Sequence, residues 1–201
     1  MPPPASYFAR ISAVLRRPAI ATAFAISIFT GFALPAISNE HLQARDGDRV
    51  LGAINAPIVM IEYYSLDCPH CTSFHLDAFP KLKSEFIDTG KVRFVFRDFP
   101  LSWAAQESAI LTHCASPERY FAVQDALFKS LGEWSKAEST LQAVTNIGEA
   151  QGVSPDAYQA CIDARVWERQ VFEGQKFARE VLGVKVTPTF LINNDKLEGN
   201  I

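Results

Sequence analysis

The sequence predicts an α/β fold in which a small sheet is interrupted by a block of helices and preceded by an apolar leader. Three observations predict it: two short β-branched and aromatic runs that flank a helical pattern, a long stretch with helical spacing and almost no strand-like sequence, and two further short apolar runs near the end.

The elements follow in chain order. After a start carrying Arg10, Arg16 and Arg17, residues 18–38, "PAIATAFAISIFTGFALPAIS", contain no charged side chain. Basic residues, an apolar segment and small residues around Ala36 and Ser38 form the pattern of an export signal cleaved after Ser38. The segment is also close to the roughly 20 apolar residues that a bilayer-spanning helix needs, so residues 1–38 are read as a signal peptide or a retained membrane anchor. Either places the remainder outside the inner membrane, periplasmic or extracytoplasmic, where thiols can become and remain disulfides. Residues 39–50, with the polar run "NEHLQARDGD" up to Asp48, read as a linker. Residues 51–201 then form one domain.

"APIVMIEYYS" reads as a buried strand and "PHCTSFHLDAFPKLKSEFIDTG" as a helix. In that helix Cys71, Phe74, Ala78, Leu82 and Phe86 share a face, Pro80 introduces a kink, and Gly90 is the stop. "KVRFVFRDFP" is a second strand, parallel to the first by a crossover connection. Residues 103–182 form the helical insertion, divided into four or five helices near Ser116-Pro117, Gly132, Gly152 to Pro155, and Gly183. Ser154 caps a helix that has Pro155 in its first turn. "KVTPTFLIN" and "KLEGNI" are two more strands, joined by a turn at Asn194-Asp195. Phe94, Phe96, Phe99 and Trp103 are assigned to core packing, and His41 and His75 to the surface.

The net charge is −3, with Lys and Arg scattered, which argues against nucleic acid as a partner. The chemistry is concentrated in "DCPHC". A C-x-x-C pair at a strand-to-helix junction places Cys68 at the positive end of the helix, where free N–H groups favour an anion. Pro69 suits the first helical position, because its missing donor would be unsatisfied there. His70 adds a donor or cation beside the sulfur. All three features favour the Cys68 thiolate and so the reduced pair, which makes the disulfide an oxidant. Cys71, one turn deeper, is the resolving partner. A metal site would draw on Cys68, Cys71 and His75 with His113 or Cys114, but the second close ligand pair of a zinc clip is missing, so no metal is assigned.

Taken together, "IEYYSLDCPHC", "FVFRDFPL", the inserted helices and "VTPTFLIN" resemble the DsbA family of exported thiol-disulfide oxidoreductases, over roughly Gly52 to Gly199. The resemblance implies a thioredoxin fold with an inserted helical subdomain and a redox pair of Cys68 and Cys71 tuned by His70. It also implies a cis-proline loop at Thr187-Pro188 that meets substrate backbone, and a buried acid at Glu62 that relays the proton of Cys71. Without it, Pro188 reads as a strand-entry proline and Glu62 as an edge-strand or ion-paired carboxylate. Cys114 and Cys161 form a structural disulfide or remain two separate buried cysteines.

The family closes its last hairpin with a helix, whereas this chain stops at "KLEGNI". Either the chain is truncated or one sheet face lacks its cover, which would expose apolar residues such as Leu191. The function expected is donation of the Cys68–Cys71 disulfide to thiol-containing substrate proteins, with a membrane redox partner restoring it and no organic cofactor. The alternatives are a reductase or isomerase of the same fold, and a scaffold that binds peptide or metal without turnover.

Overall fold

The computed structural model describes Leu42, residues 45–193 and residues 195–199. The leader expected over residues 1–38 and His41 lie outside them; among the described residues no helix is long and apolar enough to cross a membrane. Strands β1 (Arg49–Leu51), β2 (Ile58–Tyr64) and β3 (Val92–Asp98), with helix α1 over residues 69–87 between the last two, precede the helical block. The block comprises α2 (Trp103–Cys114), α3 (Tyr120–Lys129), α4 (Leu131–Trp134), α5 (Thr140–Ala150), α6 (Pro155–Ala164) and α7 (Val166–Glu180). Strands β4 (Thr189–Ile192) and β5 (Asp195–Glu198) return the chain to the sheet.

The sheet order is β1-β3-β2-β4-β5. β2 and β3 run parallel in register Ile58↔Val92 through Tyr64↔Asp98, and the other neighbours are antiparallel. Because side chains alternate along a strand, Met60, Phe94, Phe96, Phe190 and Ile192 face the main core. Ile61, Tyr63, Val95 and Leu191 face a second, smaller one. The final turn falls one residue earlier than expected: Ile192 pairs with Asp195, and Asn193 takes the left-handed conformation (φ 49°). Asparagine tolerates that geometry, and its Oδ1 accepts the Val59 N–H at 3.0 Å.

Helix α1 carries the predicted stripe: Cys71, Phe74, Ala78 and Leu82 are buried in the main core. Phe74 packs on Phe190 (4.8 Å between centroids), while Phe94 and Phe96 are 4.6 Å apart. Full burial of each such ring contributes about 2–3 kcal/mol. Pro80 is accommodated by widened turns: Phe74–Ala78 and Lys83–Ile87 are π-helical, and the Phe79 N–H reaches back to the Phe74 carbonyl. A wide turn absorbs a missing donor without ending the helix.

The helical block has six helices among the described residues, more than the expected four or five. The short helix α4 near Gly132 accounts for one added helix, and a further boundary lies at Arg165, whose left-handed backbone (φ 53°) separates α6 from α7 without a glycine or proline to signal it. Ser102, Ser139 and Ser154 cap α2, α5 and α6, each side chain accepting a backbone N–H from the first turn. Cys114, the last residue of α2, is joined to Cys161 of α6 by a disulfide, with Cα atoms 5.8 Å apart. Phe94, Phe96 and Phe99 are core residues, but Trp103 is 68% exposed. It opens α2 beyond the end of β3, where strand alternation no longer governs direction.

Two structural observations differ from the expected linker over residues 39–50 and the expected open face. Arg49–Leu51 is a strand paired with β3, and Asp48 is buried against the Arg97 guanidinium at 2.8 Å. "RDGD" looks solvated because its buried partner lies 49 residues away. Leu191, expected at an uncovered face, is fully buried: Leu42, Ala178, Leu182 and Val184 pack on that side of the sheet.

His75 is also corrected. Its ring, placed by sequence on the surface, stacks between Phe79 (5.5 Å) and Phe128 (4.4 Å), with Asp125 at 3.7 Å. Burial, only partly offset by Asp125, lowers its pKa to about 4. The folded state therefore resists a proton that the unfolded chain accepts from about pH 6.5 downward, and stability falls as pH drops through that window. Chemical denaturation of the oxidised protein should show an acid loss of about 3 kcal/mol from this residue between pH 7 and pH 4. His75→Phe, which keeps a stacking ring, should remove that component; an unchanged acid limb would contradict the assignment.

Candidate active site

β2 ends at Tyr64, and a short turn, in which the Cys68 N–H bonds the Ser65 carbonyl, delivers Cys68 as the N-cap of α1. Its backbone is extended (φ −89°, ψ 117°), and no side chain caps that end of the helix. Pro69 occupies the first turn. With no N–H there, the first amide donors offered by the helix are those of His70 and Cys71. Both cysteines are free thiols. Cys68 keeps 4% of its surface exposed and Cys71 none. Across the site, Thr187-Pro188 is a cis peptide, and the Cys68 thiol donates to the Thr187 carbonyl at 3.3 Å. The loop before β4 and the start of α1 therefore meet at Cys68.

The two thiols are driven apart electrostatically. Cys68 drops from an ordinary value of 9.0 to about 5: the Cys71 thiol donates to its sulfur, outweighing burial, and the Thr187 side chain and the amides of Cys71 and His70 add to the effect. Thr187 Oγ1 is buried and has no other hydrogen-bond partner. It becomes a useful donor once the Cys68 sulfur ionises. Cys71 moves well upward, first through burial, then through its donation to Cys68 and the charges of Glu62 and Cys68. Glu62, in the middle of β2 between Phe96 and Phe190, is 2% exposed. Burial, then the Cys68 charge, raises its pKa well above the ordinary carboxylate value. It is on an inner strand and not at an edge.

His70 contributes to Cys68 through its backbone N–H, while its side chain is exposed. The main-chain donor of His70 thus acts on the sulfur directly. The residues weighed for a metal are dispersed: Cys114 is in a disulfide, His75 is stacked between phenylalanines, and His113 pairs with Asp98 at 2.7 Å and stacks on Trp167. Among the described residues no group of three or more potential ligands comes together. Ser65, one turn before the motif, escaped the sequence reading although its backbone N–H faces Cys71 and its side chain bonds Asp67 and Leu101. A small polar residue at the end of an otherwise apolar strand was the available signal.

A buried C-x-x-C pair at the start of a helix, facing a cis-proline loop from a five-stranded sheet, defines a thioredoxin-type redox site. The family profile described as thioredoxin matches residues 44–201. A crystal structure of Wolbachia pipientis alpha-DsbA1 superposes with a TM-score of 0.74 at 36% identity, covering 82% of this chain and 89% of that one. The chain belongs to the thioredoxin family and, within it, to the DsbA-like thiol-disulfide oxidoreductases. Oxidised BdbD from Bacillus subtilis shares the fold (TM-score 0.67, 22% identity, covering 77% of this chain and 85% of that one). A Rickettsia bellii protein named as a protein-disulfide oxidoreductase is 30% identical over 154 residues, 76% of this chain and 60% of its own length. The chain thus spans about 60% of the length of that curated relative.

The Cys68 sulfur should show a thiolate absorbance at 240 nm with a midpoint near pH 5 in the reduced protein. A depressed folded pKa stabilises above the unfolded value and is lost as pH falls through the folded one. At pH 7 the reduced protein should therefore hold about 3 kcal/mol from this ionisation, disappearing toward and below pH 5. Thr187→Val should move the midpoint upward. A midpoint close to that of a free cysteine would overturn the electrostatic assignment.

Proposed function

We propose that this protein is an exported thiol-disulfide oxidoreductase that donates a Cys68–Cys71 disulfide to thiols of substrate proteins. The observation that carries the reading is the divergence of the two thiols, one lowered to about 5 and the other raised well above 9.0. A substrate thiolate attacks Cys68 Sγ, the Cys68–Cys71 bond breaks, and Cys71 leaves and takes up a proton supplied by Glu62. A second substrate thiolate then attacks the substrate sulfur of the mixed disulfide. Cys68 departs as a thiolate, a good leaving group because its conjugate acid is strong. The substrate gains a disulfide, and the protein retains two electrons and is released reduced. No organic cofactor takes part.

Thr187 and cis-Pro188 form the platform beside Cys68 along which substrate backbone aligns. The disulfide between Cys114 and Cys161 is structural, bracing α2 against α6. The charge-free segment at residues 18–38 supports delivery across the inner membrane, as a cleaved signal or as a tether. A membrane-bound redox partner completes the cycle by reoxidising the pair.

Equilibration with glutathione buffers should leave the pair reduced under conditions that keep ordinary disulfides oxidised. Persistence of the oxidised pair would instead support a reductase or isomerase. With Cys71→Ala, substrates should accumulate as mixed disulfides on Cys68 in the intact envelope, and Cys68→Ser should capture none. Failure of the Cys71→Ala variant to trap any thiol protein would favour the non-catalytic scaffold.

A further inference from the structure

Asp67 immediately precedes the sulfur that the site keeps ionised. A carboxylate at this position is a natural competitor for the helix end. Aspartate side chains accept backbone N–H groups two or three residues onward, and helix N-termini attract anions in general. Two residues on is Pro69, which has no N–H, so the amide within Asp67's local range is that of His70. That amide is one of the donors now directed at Cys68.

The structure shows where the carboxylate goes instead. Ser65 is 1% exposed, and its hydroxyl donates to Asp67 Oδ1 at 2.5 Å while accepting the Leu101 N–H at 3.0 Å. The hydroxyl is therefore fastened from the far side by the segment that follows β3, and the Phe99 N–H bonds the Tyr64 carbonyl at 2.7 Å beside it. No side chain caps α1. We propose that Ser65 is a positioning residue that holds the Asp67 carboxylate away from the first turn of α1, so that the amides of His70 and Cys71 remain available to the sulfur of Cys68.

This deepens the redox reading and names the contact that keeps the site from being blocked by its own neighbour. Thr187, Cys71 and Glu62 also surround Cys68 and are untouched by the substitutions below. Removing the Ser65 hydroxyl frees Asp67 and also leaves the Leu101 N–H without its acceptor. The second effect is purely structural, and a change at Asp67 cannot repair it.

The test is a pH titration of thiolate absorbance in the reduced full-length protein, which needs no turnover and so is independent of the proposed substrate chemistry. Ser65→Ala should lower the thiolate-to-thiol ratio of Cys68 at a fixed pH near 5 by about tenfold, a one-unit rise in midpoint. Adding Asp67→Asn to Ser65→Ala should return the midpoint to the wild-type value or below it. Asp67→Glu, with Ser65 intact, extends the carboxylate one methylene beyond the serine's hold and should raise the midpoint in the same direction. It also covers the case in which Ser65→Ala does not fold. The proposal is overturned if Ser65→Ala or Asp67→Glu leaves the midpoint unmoved. It is equally overturned if Asp67→Asn fails to reverse the effect of Ser65→Ala, since the shift would then come from the disturbed loop alone.

Discussion

At the first turn of α1 the Cys71 thiol and the amides of His70 and Cys71 converge on the sulfur of Cys68, and no side chain takes those amides away. Backbone donors at a helix start have no partner within the helix, so an anion placed there is held by groups already oriented before it forms. The arrangement costs the protein little when Cys68 is a thiolate and more when that sulfur is tied into a disulfide. The surrounding structure serves this one contact. β2 aims the chain at the helix start, and Pro69 sets the first turn while withholding a donor. The loop before β4 brings Thr187 against the opposite side of the sulfur.

The same site separates two chemically identical thiols. Cys71 lies on the buried face of α1, in line with Phe74 and Ala78, over a sheet whose central strand carries Glu62. Removal from water disfavours the charged form of both Cys71 and Glu62, and each raises the cost of ionising its surroundings. A difference of one turn along the helix thus moves the two thiols in opposite directions, Cys68 toward ionisation and Cys71 away from it. The partition depends on the packing of α1 between the sheet and the helical block. In that packing His75 serves as a flat apolar ring and not as a charge, stacked on Phe128 of α3.

Outside the site, the fold is held by contacts between segments distant in sequence. The Cys114–Cys161 disulfide joins α2 to α6, and Arg97 is locked by Asp48 and the Tyr63 hydroxyl. The Asp48 contact draws the polar approach to β1 into the structure and, with Leu42, covers the side of the sheet that holds Leu191. A buried guanidinium without its carboxylate would be strongly destabilising, so this pair is a condition of that face as much as a support for it.

Periodicity and local chemistry made much of this legible. The apolar run of β2, the alternation in β3, the stripe from Cys71 to Leu82, the Ser154 cap and the C-P-H-C spacing are short-range patterns whose physical consequences do not depend on distant residues. Where a residue's surroundings come from another element, the sequence had no means of reporting them. His75 looked like a surface histidine because Phe128 lies 53 positions away, and Asp48 looked solvated because Arg97 is 49 positions away. Arg165 gives no local sign of ending a helix, and the contribution of the His70 amide to the sulfur is not visible in a side-chain pattern. The sequence alone established a redox-capable cysteine pair at a strand-to-helix junction, because capping and spacing act within one turn. Which groups stabilise the thiolate, where Glu62 and Thr187 stand relative to it, and how Asp67 is kept from the helix end were decided by tertiary packing, because burial and hydrogen-bond direction are properties of assembled neighbours.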